Sequence, residues 1–78
     1  MKNNELTHLN KLKARAEEIY EEMYETSGSV SAGAYFSEVK ELLFEAVNLA
    51  KKMDLEDEVR DINKRLEHIR KVYESQMQ

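Results

Sequence analysis

Seventy-eight residues with a net charge of −4 and neither cysteine nor proline make one small domain without disulfide staples, thiolate zinc or a cysteine nucleophile. The sign of the charge is wrong for a strong nucleic-acid binder, which displaces counterions with basic side chains. No apolar run approaches the roughly 20 residues that span a bilayer, and the start, MKNNELTHLNKLK, has no apolar core of the kind a secretory signal needs.

A first helix is predicted over about residues 3–25. Leu9, Leu12, Ala16, Ile19 and Met23 recur at alternating gaps of three and four, the period of one helical face. Leu6, Tyr20 and Tyr24 flank that stripe. Asn3, Asn4 and Thr7 are each suited to cap the helix, because their side-chain oxygens can accept from unpaired amides.

Residues 26–33, TSGSVSAG, hold both glycines. Small polar residues bond to local backbone and glycine tolerates positive φ, so a flexible interhelix loop is expected. No Lys-Ser/Thr pair follows and no strand precedes, so this is not a phosphate-binding P-loop.

The second helix is expected over residues 34–53. Phe36, Val39, Leu43, Ala46, Ala50 and Met53 form one seam, with Tyr35, Leu42 and Leu49 beside it. Together they cover roughly 160° of the helix circumference, wide enough to touch two neighbours, so this helix should be central. Phe44 falls off the arc, near Lys40, Val47 and Lys51.

At Met53–Leu55 the heptad phase slips. The old seam would continue at Asp57; a new one starts at Leu55. A tight turn resolves the conflict better than one bent helix, with Asp54 expected as the next N-cap. The third helix, about residues 55–76, carries Leu55, Val59, Ile62, Leu66, Ile69 and Tyr73 on a narrow seam of roughly 80°. Val72 lies away from it.

The charges suggest how the helices pack. The first helix is basic early (Lys2, Lys11, Lys13, Arg15) and acidic late (Glu17, Glu18, Glu21, Glu22, Glu25). The third begins with Asp54, Glu56, Asp57, Glu58 and Asp61, then carries Lys64, Arg65, Arg70 and Lys71. In an up-down-up, all-α three-helix bundle these two helices run parallel, with opposite charges side by side. Glu38, Glu41 and Glu45 of the second helix should face the basic end of the third. Each exposed pair contributes only ~0–1 kcal/mol, enough to bias topology but not to drive folding. The third helix is charged in favour of its dipole at both ends and the first against it, so the first is expected to fray or detach first.

Sites for chemistry are sparse. Glu5 and His8 form one Glu-x-x-His, half of a dimetal motif, but Arg65 stands three residues before His68 where the second half would need Glu. No metal site, cofactor or enzymatic activity is expected, because no acid or base maps to an apolar pocket. Lys64, His68 and Lys71, with Arg60, share an outer face of the third helix. A solvated face paired with acids of the first helix is the expected reading, and nucleic acid is not an expected partner.

The run LKARAEEIYEEMYETSG, under a quarter of the chain, resembles the start of the short helical-hairpin aspartyl-phosphate phosphatases of spore-forming bacteria. That family's Ser-Gln-Glu-Leu-Asp signature is missing: Met77 follows Ser75-Gln76, and Val39 follows Ser37-Glu38. No activity or site residue carries over. The expectation is one helical domain over residues 1–78, cytoplasmic, acting through another protein or a second copy of itself. Tyr20, Tyr24, Phe44 and Val72 are its candidate interaction residues. A phosphatase-type regulator and a nucleic-acid-associated factor are the alternatives.

Overall fold

The structure, a computed structural model, describes residues 2–25 and 31–76. It is an all-α bundle of α1 (Lys2–Glu25), α2 (Ser31–Lys52) and α3 (Glu56–Gln76), with principal extents of 42 × 19 × 13 Å. As the width of its apolar arc implies, α2 is the middle helix: it packs most closely on α1 and next on α3, while the α1 and α3 backbones approach each other least. None of the described helices is long and apolar enough to cross a membrane.

The core follows the predicted stripes. All five stripe residues of α1 are buried, as are Val39, Leu43, Ala46 and Ala50 of α2. From α3 only Ile62 and Ile69 are fully enclosed; Leu55, Val59, Leu66 and Tyr73 pack at the margin. Ala16, Ala46 and Ala50 lie within the α1 and α2 seams with no exposure at all. Side chains this small let two helix axes approach closely, consistent with the tighter α1–α2 contact.

Several boundaries differ from expectation. Helix α2 begins at Ser31 rather than 34, so Ser31, Ala32 and Gly33 are helical and only residues 26–30 of the expected loop, Gly28 among them, lie outside the described residues. Ala32 is enclosed because it stands one heptad before Val39 and so extends the same seam. Asn3, Asn4 and Thr7 sit inside α1, which starts at Lys2, and are not its caps. Val47 is buried rather than lying off the apolar arc, since α3 closes over that side of α2.

The phase slip is resolved by a turn, but Asp54 plays another part in it. Its amide donates to the Lys51 carbonyl at 3.1 Å, and the Leu55 amide donates to Ala50 at 2.9 Å. These are the paired bonds of a Schellman ending, with Asp54 as the left-handed residue at φ 59°. Asp54 therefore ends α2 and does not cap α3. Leu55 holds the N-cap position instead, its carbonyl accepting the first α3 bond from the Val59 amide at 3.0 Å, while its side chain packs at the core margin.

The charge placement is corrected in two respects. Helix α3 ends at Gln76, as expected, but Arg70 and Lys71 fall short of its last turn, which contains Glu74 and no basic residue; its dipole is matched at the start only. Glu38, Glu41 and Glu45 are exposed, more than 100° around α2 from Leu43 by helical geometry, and so turn away from both neighbours.

Candidate interaction surface

Helices α1 and α3 flank Leu43 of α2 and form a groove above it. A cavity of about 110 Å³ there is lined by Lys13 and Glu17 from α1, Leu43 from α2, and Asp61, Ile62 and Arg65 from α3. Two ion pairs cross between the outer helices. Lys13 Nζ donates to Glu58 Oε1 at 2.7 Å. Arg65 forks onto Glu17, with Nε to Oε2 at 2.8 Å and Nη2 to Oε1 at 2.6 Å. Both unite the acidic start or basic middle of α3 with the opposite charge on α1, in the sense the charge gradients imply. The bidentate geometry makes the second pair the more directional.

The same guanidinium lies 5.0 Å from the centre of the Tyr20 ring. Its hydrogen bonds to Glu17 raise the Arg65 pKa above its ordinary value, against the opposing effect of partial burial, and the neighbouring charge adds to this. Arg65, cationic as any arginine is, is thus held by one carboxylate and one ring face. Of the α3 bases, Arg65 therefore meets an α1 acid, whereas Lys64, His68 and Lys71, assigned that pairing from the sequence, are exposed. Arg60 and Arg70 pair within α3, with Asp57 at 3.1 Å and Glu67 at 2.7 Å. The Arg70 pKa is likewise raised, first by its hydrogen bond to Glu67.

The four candidate residues do not form one patch. Tyr20 is half-buried, and Tyr24, 49% exposed, stands edge-on to it with ring centres 6.2 Å apart at 71°. Tyr20, Glu21, Tyr24 and Glu25 line a shallow surface pocket. Val72 belongs to the same end of the molecule. Lys13 and Asp61 line one cavity, and Tyr24 and Val72 lie eleven residues beyond each on parallel helices, about three turns and almost the same angular position. Phe44, 52% exposed, is separate: it sits 100° around α2 from the groove floor at Leu43.

Sequence reasoning missed the contacts that close α3 onto α2. Phe36 and Tyr73 stack with ring centres 4.2 Å apart and planes 7° from parallel, and Lys40 Nζ lies 5.0 Å from the Phe36 ring centre. Both rings were legible as seam residues, but stacking depends on the relative height of two helices, which their periods do not encode. The role of Arg65 was hidden because it looks like any other base in the basic half of α3.

His8 and His68 are exposed on different helices. No cluster of three or more His, Asp or Glu side chains able to hold a metal occurs among the described residues, and no polar or charged side chain among them is buried. No protein-family model matches the chain, and no curated protein or solved structure shows significant similarity to it.

Proposed function

We propose that this chain is a small, non-enzymatic helical protein that acts by binding another protein, with a second copy of itself as one candidate partner and the cytoplasm as its location. The observation that carries this reading is the exposure of two large aromatic side chains, Phe44 and Tyr24, on regular helices of a small bundle. Aromatic residues are enriched where proteins meet, because they bury much area at little entropic cost. The polar groups of the described residues lie at the surface, in ion pairs or in solvent, rather than in a desolvated pocket suited to acid–base chemistry.

Sedimentation velocity at tens of micromolar, joined to affinity capture from source-cell extract, tests the reading. The wild-type chain should associate or retain a defined partner, and Phe44→Glu combined with Tyr24→Glu should lose this while keeping its helical circular dichroism. A strictly monomeric chain that retains nothing beyond what the double variant retains would overturn it.

A further inference from the structure

The α1 segment EEIYEEMY contains the same pair twice, one turn apart: Glu17 with Tyr20, then Glu21 with Tyr24. In the first pair the carboxylate holds the Arg65 guanidinium through two hydrogen bonds of 2.6 and 2.8 Å, and the ring lies 5.0 Å from the cation. A four-residue step on a helix advances about 40° around the axis. This turns Glu21 outward from the groove-lining Glu17, whereas Tyr24, eleven residues beyond Lys13, keeps nearly that residue's groove-side angle; Glu21 and Tyr24 are both exposed. On α3 the residue two turns beyond Arg65 on the same face is Val72, which brings no charge. Among the described residues no cation is placed over the Tyr24 ring.

From this repetition we infer that Glu21, Tyr24 and Val72, with Glu25 at the rim, form a docking site for an arginine side chain of a basic segment on another protein. The inference rests on the interaction reading above and gives it one chemical determinant. Tyr24 presents a ring face or edge for the planar guanidinium, Glu21 a carboxylate for its fork, and Val72 an apolar surface for its methylene stem. The local charge is complementary, since Glu21 and Glu25 are exposed at this end of α1. A second copy is a poorer donor: Arg15, Arg60 and Arg70 are each tied to a carboxylate one turn away, at 3.3, 3.1 and 2.7 Å, and Arg65 is already engaged.

The test is an amide-resolved titration of the full chain with acetyl-Gly-Arg-Gly-Arg-Gly-amide and its lysine counterpart at matched ionic strength. The arginine peptide should give saturable shifts confined to Tyr20–Glu25 and the neighbourhood of Val72, and bind about three-fold or more tighter than the lysine peptide, because lysine can neither fork nor stack. Glu21→Gln and Tyr24→Leu, both at exposed positions, should each remove that preference, while Phe44→Glu leaves it intact. Equal shifts with both peptides, or a preference that survives both variants, would overturn the site. Self-association of the wild-type chain abolished by Glu21→Gln would overturn the assignment to a foreign partner. If Phe44→Glu loses a captured protein while the wild-type chain shows no arginine preference, this site fails and the broader interaction reading stands.

Discussion

Helices α1 and α3 both dock on α2, but they do so by different physics. Helix α1 encloses Leu9, Leu12, Ala16, Ile19 and Met23, whereas α3 encloses only Ile62 and Ile69. What α3 lacks in enclosure it replaces with directional contacts: the Phe36–Tyr73 stack and the two ion pairs reaching across to α1. Burial is non-directional and is not weakened by ionic screening; surface ion pairs are directional and are weakened by it. The α1–α2 hairpin is therefore expected to be the stable half of the molecule, and α3 the half that responds to conditions, the opposite of the order that helix dipoles suggest. A dipole mismatch costs about 0.3–1 kcal/mol, while enclosing one Leu, Ile or Met contributes about 1.5–3 kcal/mol, and α1 encloses four such side chains.

The comparison can be broken most forcefully at Leu43, which is almost completely enclosed and floors the groove between α1 and α3. Leu43→Ala should lower stability by about 3 kcal/mol in urea unfolding; a loss under about 1 kcal/mol would mean that the three helices do not share one core. Native-state amide exchange addresses the order of detachment directly. Amides of α3 around Glu67–Tyr73 should exchange through an opening roughly 2 kcal/mol easier than those of α1 around Leu12–Ile19, and equal protection would remove the distinction. Glu17→Gln breaks the Arg65 fork and should cost about 1 kcal/mol in dilute buffer. That cost should shrink in high salt, whereas the penalty for Leu43→Ala should not.

Two smaller effects sharpen the picture at the ends of α2. A methyl group added at Gly33 would stand 3.2 Å from Tyr73 Oη. Gly33→Ala alone should gain little. With Tyr73→Phe, which removes that oxygen and keeps the stack, the same change should stabilise by about 0.5–1 kcal/mol in a thermodynamic cycle. Asp54→Gly relieves a left-handed non-glycine residue and should stabilise by about 0.5 kcal/mol in thermal unfolding.

How much of this was legible in the sequence follows from what each pattern encodes. Heptad spacing reports which side of a helix is apolar, so the α1 stripe and most of the α2 seam were readable, and the change of phase at Met53–Leu55 exposed a turn that no glycine or proline marks. Spacing does not report how far a neighbour reaches. Val47 looked solvent-facing until α3 covered it, and Ala32 looked like loop because serine and glycine surround it. Helix ends were the weakest part: Asp54 has a good capping side chain, yet its tolerance of positive φ decided its place. At the candidate surface, Tyr20 and Tyr24 were identified as flanking residues, but the guanidinium between Glu17 and Tyr20 needed three dimensions.

The Asp54 turn also governs how the molecule can change in length. Three residues, Met53 to Leu55, connect α2 to α3, and the Schellman bonds leave them no slack. One residue inserted there would break these paired bonds, and a different turn would be needed to return Ile62 and Ile69 to the core and Arg65 to Glu17. Insertions should therefore be tolerated poorly at this joint, and the spacing between Leu43 and Ile62 should behave as a fixed dimension of the protein.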